Sequence, residues 1–152
     1  MHLRWLLCRH AIGLALLDAL FGQVWVPEAV FNEVAVADKP HAARLRSYLQ
    51  GKVHAVDLAH FVFLDAFADA GETAAMLLYK EMAADYLLID DKRGRKVAKI
   101  NQIQTIGSPG VLLQAKRVGL IPAVAPLLRL IAASPVFIGV DLLQTILDLA
   151  GE

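Results

Sequence analysis

The sequence predicts an α/β fold built on a parallel sheet, and three observations predict it. Short apolar, β-branched runs alternate with longer stretches of helical periodicity, the mark of βα units. Glycine and proline stand at the joints between them: Gly22 after an apolar helix, Pro27 after a strand. An acidic pair, Asp90-Asp91, follows an apolar strand directly. No repeat, low-complexity tract or linker interrupts the 152 residues, which is room for one domain.

In chain order, strands are expected over 5–7, 23–26, 52–56, 86–89 and 103–106. An apolar helix over 11–21 lies between the first two. Pro27 suits a first helical position, and helical pattern runs from it to about Val36. A break at Lys39-Pro40 precedes a helix over 41–49. The segments 71–84 and 107–118 read as strong helices, the second with Val111, Leu112, Ala115 and Val118 on one face. Helices over 123–133 and 140–150 close the chain, and Pro122, Pro126 and Pro135 punctuate this tail.

Composition narrows the class. Hydrophobic residues make up 57% and the mean hydropathy is +0.52, so a sizeable core and spare apolar surface for a partner are both expected. The helix over 140–150 offers one such surface through Val140, Leu143, Ile146, Leu147 and Ala150, unless that side packs on its own core. Fifteen basic and fifteen acidic residues cancel. Their distribution is more informative: Lys92, Arg93, Arg95, Lys96 and Lys99 crowd one short stretch. The single cysteine, Cys8, excludes an internal disulfide and reads as a buried thiol in a reducing compartment. Arg9, His10 and Asp18 interrupt the leucine-rich start, no small-x-small cleavage site follows, and no apolar run is long enough to span a bilayer. A cytoplasmic protein without a membrane anchor is expected.

Chemistry points to carboxylates. In an open parallel sheet, ligands gather beyond the carboxyl ends of the strands. Carboxylates there can hold Mg²⁺ or Mn²⁺, hard ions that favour oxygen donors and retain water. Asp90 and Asp91 end a probable central strand, although Asp91 equally suits the cap of the following helix. Asp69-Ala70-Gly71-Glu72 resembles a capping box. On a helical wheel, however, Glu72 falls with Ala75, Tyr79 and Met82, opposite Thr73 and Lys80, so its carboxylate faces inward and needs a partner. Glu33, on the flank of the Pro27, Val30 and Val34 face, reads by itself as a solvated helix residue. The basic stretch after Asp91 can form a phosphate-attracting rim; without interleaved aromatics it offers no base stacking. The five histidines lack metal-ligand spacing, and no GxGxxG, Walker or Gly-x-Ser-x-Gly motif occurs.

Several segments in order resemble the PIN superfamily, within it the short VapC-like branch. They are Val26-Pro27-Glu28-Ala29-Val30-Phe31-Asn32-Glu33, Asp69-Ala70-Gly71-Glu72, and Leu87-Leu88-Ile89-Asp90-Asp91 with Arg93 and Arg95. After these come Ile106-Gly107-Ser108-Pro109-Gly110-Val111-Leu112 and Ala115-Lys116-Arg117-Val118-Gly119-Leu120-Ile121. The resemblance implies a three-layer α/β/α sandwich with a central parallel sheet of four to five strands. Residues 1–152 would form a single PIN-like domain, with 1–20 a degenerate first strand and helix and 121–152 a C-terminal helical extension. It implies a Mg²⁺- or Mn²⁺-dependent endoribonuclease of toxin–antitoxin type, commonly a homodimer silenced by a small antitoxin. Glu33, Glu72 and Asp91 match the family's acids, with Asp90 a further metal ligand; Lys92, Arg93, Arg95 and Ser108 are expected against RNA.

One departure matters. The family opens on an apolar strand ending in Asp, then Ser or Thr. Here Leu6-Leu7-Cys8-Arg9-His10-Ala11-Ile12-Gly13 stands in that place, the Asp position falls near Leu7, and no acid occurs before Asp18. The expected metal binding is therefore weak. Three readings remain open: an impaired ribonuclease, an inactive PIN-like module for binding or dimerisation, or a truncated or frame-altered gene product.

Overall fold

The structure, a computed structural model, describes residues 11–35, 41–57, 70–132 and 140–152. The elements in chain order are α1 (Ala11–Phe21), β1 (Val26–Pro27), α2 (Glu28–Val34), α3 (Ala42–Leu49), β2 (Val53–His54) and α4 (Ala70–Glu81). There follow β3 (Leu87–Leu88), α5 (Lys92–Ile100), β4 (Thr105–Ile106), α6 (Ser108–Arg117), α7 (Ala125–Ala132) and α8 (Val140–Ala150). This is an α/β chain, as expected. The expected strand over 5–7, and with it Leu7 and Cys8, lies outside the described residues.

Among the described residues the strands are shorter than the apolar runs that predict them. β1 pairs with β2 and β3 with β4, each pair parallel, with Val26 opposite Val53 and Leu87 opposite Thr105. Backbone bonding reaches past the strand limits: the Val26 amide donates to Lys52 O at 2.9 Å, and the Ile89 amide to Ile106 O at 3.0 Å. The β3 ladder therefore ends one residue before Asp90.

The contacts fall into two compact units. The first holds the described residues between 23 and 106. In it α2 packs against α3 and α4, and α4 lies against β1 and β3. Met76, Leu87, Ile89, Val97, Ala98 and Ile103 form one buried cluster joining α4, β3 and α5, with Ala75 and Tyr79 packed on it. Each fully buried Leu, Ile, Val or Met contributes roughly 1.5–3 kcal/mol from removal of apolar surface from water. His54 packs edge-on against Trp25 with ring centroids 4.5 Å apart.

The second unit holds the described residues between 11 and 22 and between 107 and 152. Here α1 and α8 both pack on α6. Val111, Leu112 and Ala115 of α6 are buried with Leu14, Leu16 and Leu17 of α1, Val124, Leu128 and Ile131 around α7, and Ile146 of α8. Of the apolar side expected on α8, Ile146 is core, whereas Val140 is exposed together with Leu142 and Leu149. No helix among the described residues is long and apolar enough to cross a membrane.

Candidate functional site

The acidic pocket is built on two helix starts in the first unit. Asp91 is the N-cap of α5: its extended backbone ends the β3 segment, and its Oδ2 accepts the Gly94 amide at 2.8 Å. The ordinary capping role that the sequence allowed is thus real, and it leaves Oδ1 outside that bond. Glu72 stands in the first turn of α4 with only 6% of its surface exposed. Its inward orientation is as the helical wheel predicts. Thr73 is different: expected on the opposite, outer side, it is 3% exposed. The first turn of α4, Gly71 to Ala74, is buried all round, so amphipathic periodicity does not govern it.

Gly94 lies between the two acids. A Cβ placed on it would stand 2.8 Å from Glu72 Oε1 and 3.0 Å from Glu72 Cδ, and would collide with Ile89 Cδ1. The Gly94 amide that Asp91 caps is two covalent bonds, of roughly 1.5 Å each, from that Cβ position. The Asp91 and Glu72 carboxylates therefore come within about 8 Å of each other at the first turns of α5 and α4. Both turns present the positive end of a helix dipole, which favours anions.

The other expected residues are distributed as follows. Glu33 is half-buried in α2, the helix packed on α4, and Asp90 is half-buried between β3 and α5. Glu33, Glu72, Asp90 and Ser108 each have an interaction partner, and no buried side-chain polar atom among the described residues lacks a hydrogen bond. Lys92 and Arg93 are exposed on α5 and Arg95 is half-buried. Ser108 opens α6 in the second unit, where it is buried. Among the described residues no three His, Cys, Asp or Glu side chains are grouped closely enough to hold a metal ion by themselves. The structure thus brings Glu72 and Asp91 together around Gly94.

A family model, DUF3368, described as a PIN domain, matches residues 9–152. The chain belongs to the PIN-domain family. No curated protein and no solved structure matches it. The match takes in the described residues of both compact units, and with them Glu33, Glu72, Asp90 and Asp91.

Two features of this PIN domain escape a reading for acids alone. Gly94 is the first. Its signal is a glycine in the first turn of a helix, where it costs about 1 kcal/mol relative to alanine and so calls for a local reason; here the reason is space for Glu72. The second is a cavity of about 280 Å³ bounded by Pro27, Glu28, Ala29 and Asn32 at the start of α2, Ala55 and Val56 after β2, and Ala74 of α4. It opens beyond the carboxyl ends of β1 and β2, where ligands of parallel sheets collect. Glu28 and Asn32, one helical turn apart, are its polar side chains.

Proposed function

We propose that this PIN domain is a metal-dependent endoribonuclease of the toxin–antitoxin, VapC-like kind, with a site weakened by the absence of an acid near position 7. The observation that carries this reading is the approach of Glu72 and Asp91 across Gly94. Two acids within about 8 Å of each other repel, and a cation held between them relieves that repulsion. The donors are all oxygens, which fits Mg²⁺ or Mn²⁺. Glu72 and Asp91 would hold the ion, with water and substrate phosphate filling its remaining oxygen positions. When bound, such an ion activates water and offsets charge on a cleaved phosphodiester. Lys92, Arg93 and Arg95 draw the phosphate backbone toward the acids.

On this reading the two strand pairs belong to one central parallel sheet of four to five strands in an α/β/α sandwich, and the protein acts in the cytoplasm. A small antitoxin or a second copy covers apolar surface such as Val140, Leu142 and Leu149 of α8.

A specific observation favours a second reading, a PIN-like module that binds or dimerises without catalysis: Leu7 stands where the family resemblance calls for Asp. Mn²⁺ titration by calorimetry, paired with cleavage of labelled RNA, separates the two. The wild type should bind weakly and cut slowly, and Glu72→Gln should abolish both. Leu7→Asp should raise affinity and cleavage together, while Leu7→Asn changes little. Absence of metal-dependent cleavage from both wild type and Leu7→Asp would leave the module reading standing. A fast wild-type enzyme would show that the retained acids suffice.

A further inference from the structure

The outer face of α5 has a composition that core packing does not require. Gly94, Val97 and Ala98 are its buried residues, and at 100° per residue they centre on one side of the helix. Lys92, Lys96 and Lys99 fall within about 60° of arc directly opposite, and all three are exposed. Arg95 and Arg93 flank this row, and no acid occurs anywhere in Lys92–Ile100. At 1.5 Å rise per residue the row is roughly 10 Å long. It starts at the turn that Asp91 caps, while Glu72 meets the opposite, Gly94 side of the helix.

Three lysines along one side of α5, with no acid between them in Lys92–Ile100, repel one another along the helix. A polyanion laid along it removes that repulsion. A stacked strand carries one phosphate per about 3.4 Å of axis, so roughly 10 Å faces about three successive phosphates. A single row suits one strand, whereas a duplex presents two across a groove. Lysine contacts a phosphate as a point charge, with no geometry that reads bases.

We infer that Lys92, Lys96 and Lys99 form a sequence-independent track for about three phosphates of single-stranded RNA, running from the turn that Asp91 caps along the outer face of α5. This rests on the ribonuclease reading for the identity of the strand and adds its path. Lys96 and Lys99 become substrate-binding residues, and a substrate needs about three nucleotides on one side of the cut.

The test is binding in EDTA, so that it does not depend on cleavage. Affinity of the full chain for a fluorescent single-stranded 12-mer RNA is measured by anisotropy across a salt series. Each phosphate contact contributes about 0.7 to the slope of log affinity against log salt for a single strand. Lys92→Gln/Lys96→Gln/Lys99→Gln should lower the slope by about 2, equally for adenine-rich and uracil-rich oligomers. Lys80→Gln, a single exposed cation on α4, should leave it unchanged. An unchanged slope in the triple variant overturns the track, as does an equal loss for duplex RNA of the same sequence. If the slope falls as stated yet no RNA is cut with metal present, the track stands and the ribonuclease reading fails. If RNA is cut but the slope is unchanged, the ribonuclease reading stands and the track fails.

Discussion

The start of α5 and the start of α7 both receive a side-chain carboxylate, but they treat its charge in opposite ways. At α7, Glu152 accepts the Val124 amide at 2.7 Å and the Ala125 amide at 2.9 Å. Lys116 Nζ completes the arrangement, 2.7 Å from Glu152 Oε1 and 2.6 Å from Ala150 O. The Lys116 hydrogen bond, followed by those two backbone amides, lowers the Glu152 pKa to about 2. Every charge in this clasp has its opposite beside it, and its effect is to tie α6, α7 and the end of α8 together. At α5, Asp91 accepts the Gly94 amide, and a second acid, Glu72, lies across that glycine. A carboxylate paired with a lysine closes a structure; two carboxylates brought together offer oxygen donors to a cation. The same element of local chemistry thus serves folding in one unit and, on the ribonuclease reading, catalysis in the other.

Substitutions at the acid pair should have the largest effects. Gly94→Ala gains helix propensity worth about 1 kcal/mol, but its methyl group meets Ile89 and the Glu72 carboxylate. Overpacking typically costs about 1–3 kcal/mol, so a net loss of up to about 2 kcal/mol is expected in urea unfolding. Mn²⁺ affinity should fall as well, because Glu72 is displaced. Equal or greater stability, with Mn²⁺ binding intact, would show that the close approach is not needed.

Asp91 permits the comparison to be sharpened. Asp91→Ala should cost about 1 kcal/mol through loss of the cap, whereas Asn caps about as well as Asp. Asp91→Asn should therefore match the wild type in unfolding while losing Mn²⁺ affinity. If Asp91→Asn keeps both, Asp91 is a cap alone, and the starts of α5 and α7 are alike after all.

Helix ends supply a smaller contrast. After α4 and α5 the left-handed position is held by Ala83 (φ 46°) and Gln102 (φ 58°), after α6 and α8 by Gly119 and Gly151. Gln102 donates to Lys99 O and Ile103 to Ala98 O, as Gly119 does to Lys116 O and Leu120 to Ala115 O, one shared C-cap pattern. Gln102→Gly should stabilise by up to about 1 kcal/mol, the usual scale of strain for a side chain in this region, read as a raised urea midpoint.

The clasp should give the smallest effect, since Glu152 is exposed to solvent that screens it. Its folded pKa lies below the ordinary 4.5, so the stabilisation is fully present above about pH 5 and lost as pH falls towards 2. The melting temperature of Glu152→Gln should lie below that of the wild type at pH 6, with the gap narrowing steadily as pH falls from 4.5 towards 2. A constant gap would remove the charge from the explanation.

Much of this molecule follows from local sequence. The limits of α1 and α8 fall where the periodicity places them, and Gly22, with φ +70°, ends α1 as a glycine stop should. Pro27 and Asp91 sit at helix starts because their backbone preferences and hydrogen-bonding capacity are set within a few residues. The inward side of Glu72 was legible for the same reason, as a matter of helical phase. The resemblance to PIN domains also lay in the order of short motifs, and the match over 9–152 bears it out.

Tertiary structure decided what depends on segments distant in the chain. Strand length is one case: the apolar runs are four or five residues long, but regular pairing extends only as far as a neighbour's backbone meets it. The burial of Thr73 is another, since the start of α4 is enclosed by packing that a helical wheel does not contain. Gly94 is the clearest. Its need for a missing Cβ arises because Glu72, twenty-two positions earlier, arrives from α4 against the first turn of α5. Sequence sets which groups a helix presents and on which side; excluded volume between helices decides which of those groups meet.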